Sequence, residues 1–192
     1  MKNNRSAEQE GSGTKKRRRK KEKNAVLIFI RDIAVMSIIA FILVYFFKPI
    51  VVKQTSMLPT LQQDNYLFLS KQAYNFGKPE RGDIIVFPFY SRNGMDYYIK
   101  RVIGLPGDRI DIKEGTVYIN GDPEDDHYTK DRTTPGDIRN LVVPKGELFV
   151  LGDNRLVSVD SRDPSIGTIK IDSVVGEAVF RLLPLGEAGP VK

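Results

Sequence analysis

Three side chains in this sequence carry chemistry that depends on a partner: Ser56 in "QTSMLPT" (54–60), Lys100 in "DYYIKRVIGLPGD" (96–108) and His127 in "PEDDHYTK" (123–130). A serine hydroxyl is a poor nucleophile until a neighbour takes its proton, so a reactive Ser56 needs a base. His127 is the sole histidine, and it stands among acids in the most loop-like stretch, where nothing rigid would aim it. There it reads as a solvated histidine, or as a metal ligand together with Asp122, Glu124, Asp125 and Asp126. Neither reading helps Ser56. The chain has no cysteine, which removes a thiolate nucleophile, thiolate zinc sites and disulfides, and leaves the compartment open.

Lysine is the remaining base with a precedent in serine hydrolysis. Its ordinary pKa near ~10.4 leaves well under ~1 % neutral at pH 8, and lowering it to about 8 by burial costs roughly 3 kcal/mol. Lys100 lies inside an apolar strand pattern whose alternation puts Tyr98 and Val102 on its own face. A strand lysine is also commonly solvated or on an edge, and strand context alone leaves both readings open.

The elements that must position these groups begin with a basic tail. Residues 1–24 carry a net charge of +7, so the rest of the chain is about neutral and has no electrostatic footprint for nucleic acid. The tail has no apolar residue between Ala7 and Ala25 and is expected to be disordered. Residues 25–47, "AVLIFIRDIAVMSIIAFILVYFF", would span about 34 Å as a helix at ~1.5 Å per residue, enough to cross a hydrocarbon core of ~30 Å. The Arg31-Asp32 pair interrupts the run and belongs near the headgroups, with Arg31 snorkelling. A cleaved leader would need small residues after a shorter apolar core, and "YFFKPIVV" offers none. A buried helix would need an amphipathic face, and this run is apolar all round. The reading is a membrane anchor, with the tail cytoplasmic and residues 48–192 outside.

That outer part reads as β. Runs such as "YLFLS" (66–70), "DIIVFPF" (83–89), "YYIKRVIG" (97–104), "DRIDI" (108–112), "TVYIN" (116–120), "ELFVLG" (147–152) and "VVGEAVFRLL" (174–183) are separated by turn signals, "KEGT" and "NGDP" being the clearest. Residues 121–140 are polar, rich in Asp and Pro, and read as an exposed loop. The aromatics of "FPFY" (87–90) could seat the domain on a bilayer or serve a core or edge strand.

Four stretches, "SMLPT" (56–60), "RGDIIVF" (81–87), "KRVIGLPGD" (100–108) and "GDNRLVSVDSR" (152–162), resemble in order and spacing the sequence boxes of type I signal peptidases. The lysine in the second catalytic box is similar to the bacterial and organellar branch, and the short interval between boxes resembles the compact Gram-positive form. The resemblance implies a membrane-anchored serine endopeptidase that removes signal peptides from exported preproteins. It implies a mostly β domain of coiled antiparallel sheets, close to that of self-cleaving repressor proteases, behind one transmembrane helix. Ser56 would be the nucleophile and Lys100 the general base, oriented by Ser158. Asp153 with Arg101 and Asp160 with Arg162 would support the site as ion pairs. The family's substrates have small residues one and three positions before the cut and bind as an added strand between the stretch before Ser56 and the strand before Lys100. No cofactor and no metal is implied; the partners are signal peptides and the lipid bilayer.

The Ser56 backbone N–H would supply one donor to the developing oxyanion. Two positions earlier, where related enzymes often have Ser or Gly, this chain has Gln54, whose amide can donate or turn to solvent. Two other classes remain in view. If Ser56 and Lys100 stood far apart, the chain would be a membrane-anchored β binding module. A self-cleaving regulator of the same fold would need an internal cleavage site and a DNA-binding segment, which the anchor and the near-neutral domain disfavour.

Overall fold

The computed structural model describes residues 4–91 and 94–191; residues 1–3 of the tail, for which sequence expects disorder, lie outside them. The chain divides into two units, Met1–Tyr45 and Phe46–Lys192. The first is the bulk of helix α1 (Asn4–Phe46), which begins well before the apolar run and takes in backbone where disorder was expected. Lys, Arg and Glu are good helix formers, so a helix nucleated in the apolar stretch extends backwards without needing a core. Val26–Phe46 is long and apolar enough to cross a membrane. Its side chains from Val26 to Tyr45 are exposed on every side, as expected of a helix apolar all round. Arg31 and Asp32 neutralise each other at 2.8 Å, which lowers the cost of carrying both charges in the span.

The helix ends at Phe46, one residue before the end of the apolar run at residue 47, and strand β1 (Phe47–Val51) starts at the next residue. β1 is an edge strand, where the missing N–H of Pro49 costs no ladder bond. There follow β2 (Tyr66–Ser70), the single turn α2 (Ala73–Phe76), β3 (Ile84–Ser91), β4 (Gly94–Gly104), β5 (Arg109–Lys113), β6 (Thr116–Ile119) and β7 (Asp122–Pro123). The chain closes with β8 (Ile138–Val142), β9 (Glu147–Leu151), β10 (Ile169–Lys170), β11 (Gly176–Leu183) and β12 (Gly189–Pro190). The larger sheet runs β1-β2-β11-β3-β4-β9-β10, with β12 on β11; the smaller runs β7-β6-β5-β8. All pairings are antiparallel.

The run "IIVF" makes β3 a strand buried on both faces. Ile84 and Val86 join Leu67, Leu69 and Ile99 on one side, while Ile85 and Phe87 join Val102, Leu148 and Val150 on the other. The smaller sheet packs Ile110, Ile112 and Val117 against Ile103, Phe149 and Leu151. Both tight turns of that sheet, Glu114-Gly115 and Asn120-Gly121, have positive φ at both central residues, the backbone twist that suits a two-residue hairpin. Of "FPFY", Phe87 is core, Phe89 stacks on Tyr98 with ring centroids 4.7 Å apart, and Tyr90 is exposed.

The larger sheet is incomplete along β4. Among the described residues, Met95 to Lys100 pair in the sheet with β3 alone; β9 joins the other side of β4 only from Arg101 onward. Lys100 therefore sits where an open strand edge ends.

Candidate active site

Past Val51 the chain stays tied to its neighbour through Val52 N–H to Asn65 O (2.9 Å) and Asp64 N–H to Val52 O (2.8 Å). It then closes a turn, with Leu58 N–H donating to Thr55 O and Leu61 N–H to Met57 O. Met57 and Leu61 are buried and pin that turn to the core. Asn154 grips it from the 152–162 loop: its N–H donates to Ser56 O (3.0 Å) and its Nδ2 to Thr55 O (3.2 Å). Gly152 permits this approach, because a Cβ there would lie 2.5 Å from Ser56 O and closer still to Ser158 Oγ.

β4 brings Lys100 to the same place. Its Nζ lies 2.8 Å from Ser56 Oγ and donates to Ile99 O at 3.1 Å. The Tyr98 ring is 5.1 Å away, on the face that strand alternation assigns to it. Lys100 is 1 % exposed and Ser56 8 %. Burial pulls the Lys100 pKa down to about 8, against Asp160 and Asp153, which raise it, and with Arg162, which lowers it. At pH 8 about half of the side chains are then a neutral amine able to accept a proton.

Two ion pairs, one buried and one partly so, accompany the pair. Arg101 donates from Nε to Asp153 Oδ1 (2.9 Å) and from Nη2 to Asp153 Oδ2 (2.7 Å), and its Nη1 donates to Gly82 O. Arg162 holds Asp160 in the same bidentate way at 2.8 Å, and Asp160 Oδ2 accepts the Gly152 N–H. Ser158 stands in this loop, but its Oγ is buried without a partner among the described residues, and no hydrogen bond joins it to Lys100. Lys100 Nζ is instead engaged with Ser56 Oγ and Ile99 O.

Sequence reasoning missed a third pair. Arg155, 1 % exposed, donates to both carboxylate oxygens of Glu124 (2.9 and 2.7 Å), to Thr134 Oγ1 and to Gly152 O. Tyr128 donates its hydroxyl to Glu124 and lays its ring 4.1 Å from the Arg101 guanidinium. The 121–140 stretch is thus no plain exposed loop: Thr129 and Thr134 are buried, and it straps the back of the 152–162 loop. Thr60, donating to Asp153 Oδ2 at 2.5 Å, was also missed. The signal available was Arg155 itself, a second cation, with Arg162, inside a box already dense in charge.

His127 is exposed, lies 2.8 Å from Asp125 and takes no part in the Ser56 cluster. Among the described residues no group of three His, Asp or Glu side chains is placed to hold a metal. Gln54 is half-buried and makes no hydrogen bond among the described residues, and the Ser56 N–H likewise donates to none. Both border the space around Ser56 Oγ. A pocket that Ser56 lines is walled by residues 50–54, Met57, Asp96, Tyr97 and Ile99; a second recess that it lines is walled by Gln54, Thr55, Tyr98, Lys100, Val157 and Val159.

Comparison with known proteins agrees along most of the chain. Residues 25–183 match the family described as signal peptidase, peptidase S26. Signal peptidase I of Bacillus caldolyticus is 41% identical over 162 residues, covering 78% of this chain and 86% of that one. Signal peptidase I T of Bacillus subtilis strain 168 is 34% identical over 195 residues, covering 96% and 99%. Signal peptidase IB of Staphylococcus aureus strain COL is 37% identical over 184 residues, covering 86% and 93%.

Proposed function

The chain belongs to the signal peptidase family, peptidase S26, a serine endopeptidase that removes signal peptides from preproteins, and from that premise we propose that Ser56 and Lys100 form its catalytic dyad. The observation that carries this reading is a buried lysine amine 2.8 Å from a serine hydroxyl. Neutral Lys100 accepts the Ser56 Oγ–H as Oγ bonds to the scissile carbonyl carbon. The carbonyl oxygen takes the negative charge, facing the unengaged Ser56 N–H and, beside it, the Gln54 amide. The C–N bond then breaks and the Lys100 ammonium passes its proton to the leaving amine. Water next attacks the acyl-serine as Lys100 takes its proton, and the C–Oγ bond then breaks as the Lys100 ammonium returns that proton to Ser56 Oγ, releasing the carboxyl product.

Arg101 with Asp153 and Asp160 with Arg162 hold the framework in which Lys100 sits, and Ser158, whose Oγ is buried without a partner among the described residues, is the hydroxyl that would orient it. The pocket lined by residues 50–54, Met57, Asp96, Tyr97 and Ile99 is small and suits small side chains one and three positions before the cut. The open edge of β4 before Lys100 is available to pair with an extended substrate strand.

The domain plan proposed is a basic cytoplasmic tail to residue 24, a membrane-spanning helix ending near residue 47, and an extracytoplasmic peptidase domain beyond it. The net +7 on one side of a single apolar span supports that orientation. Protease added outside intact cells should then digest the domain and spare an N-terminal tag, and the opposite pattern rejects the topology. For the dyad, the purified full chain in detergent micelles should cleave a peptide carrying an Ala-X-Ala site. Ser56→Ala and Lys100→Ala should each abolish cleavage, and His127→Ala should not. Activity surviving Lys100→Ala refutes the dyad.

A further inference from the structure

Arg101 follows Lys100 on β4, so the two side chains point to opposite faces of the strand. Lys100 meets Ser56 on one face. On the other, every nitrogen of the Arg101 guanidinium donates, to Asp153, to Thr60 Oγ1 and to Gly82 O. Those bonds use the edge of the group and leave its flat faces. The Tyr128 ring covers one of them at 4.1 Å, within cation–π range, and with Arg101 buried the contact is made away from water.

Tyr128 is itself held. Its hydroxyl donates to Glu124, which Arg155 grips with two N–H bonds. Burial and the Glu124 charge push that hydroxyl far above its ordinary pKa, so it stays a neutral donor. Two residues on, Lys130 N–H donates to Asp153 O at 3.2 Å, so one segment touches both halves of the Arg101–Asp153 pair. Beside the contact lies a cavity of about 370 Å³ that Arg101, Glu124 and Tyr128 line together. It has polar walls and room for water, and the space vacated by a lost ring would join it.

Charge links this contact to the base. Burial pulls the Lys100 pKa down, Asp160 and Asp153 pull it up, and Arg162 lowers it. Arg101, bound to both oxygens of Asp153, offsets one of the two upward pulls. Water admitted to an uncovered Arg101 face would weaken that offset, leave more of the Asp153 charge acting on Lys100 and hold the proton on the base.

Resting on the dyad reading, we propose that Tyr128 is a positioning residue for the reaction: its ring seals the face of Arg101 and, through the Arg101–Asp153 pair, keeps Lys100 in surroundings where it acts as a base. The test is the pH profile of kcat/KM for one Ala-X-Ala peptide, taken on the full chain in detergent micelles. The midpoint of the ascending limb does not depend on how much enzyme is folded, so partial unfolding of a variant cancels. Tyr128→Leu and Tyr128→Met, which remove the ring, should each raise the midpoint by about half a pH unit or more, a loss of about threefold in neutral amine well below it. Tyr128→Phe keeps the ring without the bond to Glu124 and should keep the midpoint of the unaltered protein. An unmoved midpoint in either ring-less variant, or a raised one in Tyr128→Phe, overturns the role of Tyr128 while leaving the dyad standing. An unaltered protein with no ascending limb near 8 overturns the dyad reading and this role with it.

Discussion

A lysine kept for its basicity should cost the fold something, and Lys100 allows that cost to be worked out. Burial lowers its pKa from 10.5 to about 8. At ~1.36 kcal/mol for each pKa unit, holding the ammonium in the site costs about 3 kcal/mol relative to water. Lys100→Met keeps the length of the side chain and removes the amine. It also strips Ile99 O of its donor, a loss of about 1 kcal/mol, so the variant should be more stable by about 2 kcal/mol near pH 7 while being inactive. The gain depends on pH in a defined direction. Below about 8 the lysine is protonated in both folded and unfolded chains, and the full cost is present. Between about 8 and 10.5 the folded lysine is neutral while the unfolded one is still charged, so the unaltered protein gains stability as pH rises. Near pH 10.5 the gap closes and reverses slightly in favour of Lys100. Thermal unfolding of both full-length proteins in detergent, followed by near-ultraviolet circular dichroism from pH 6 to 10, reads this as a Tm difference of roughly 4–8 °C that narrows above pH 8. A less stable variant at pH 6–7, or a gap that does not narrow with pH, would show that burying this ammonium costs the fold nothing.

Contacts around the site set three more expected outcomes. Gln54→Ala should lower kcat about 10²-fold with KM little changed if the amide meets the oxyanion, and unchanged kcat would assign that role to backbone donors alone. Glu124→Gln and Arg155→Met should each destabilise by about 3–5 kcal/mol, because each leaves a buried charge unpaired. The double variant should recover much of that, and a denaturant double-mutant cycle measures the coupling. Gly152→Ala should cost about 1–3 kcal/mol and most of the activity, since its Cβ would push the Asn154 segment off the Ser56 carbonyl; wild-type kinetics in that variant would show that the loop yields freely.

The parts of this architecture that sequence makes legible are those governed by local pattern. The alternating or continuously apolar runs of β2, β3, β4 and β9 and the Asn120-Gly121 turn are visible because side-chain period and φ preference act within a few residues. Two-residue strands such as β7 and β10 carry too little pattern to be seen, and β1 hides behind the apolar helix that precedes it without a linker. The extension of α1 back to Asn4 reflects helix propensity, which a reading based on burial passes over. Lys100 shows the limit most clearly. Its strand and its face follow from alternation, but its meeting with Ser56, 44 residues away, depends on where β4 loses its second neighbour and on Asn154 holding the turn. The resemblance of four boxes points to that pair where periodicity cannot. The Arg155 and Glu124 pair joins a box to a stretch that looks like solvent-exposed loop, so neither partner announces the other.

In the proposed mechanism everything turns on Lys100 taking the proton from Ser56, and the pH dependence of kcat/KM for an Ala-X-Ala peptide reads that base directly. The expected profile is a single ascending limb with a midpoint near 8 and unit slope, unchanged in His127→Ala. A midpoint near ~6.5 that disappears in His127→Ala would contradict it and return the base to histidine.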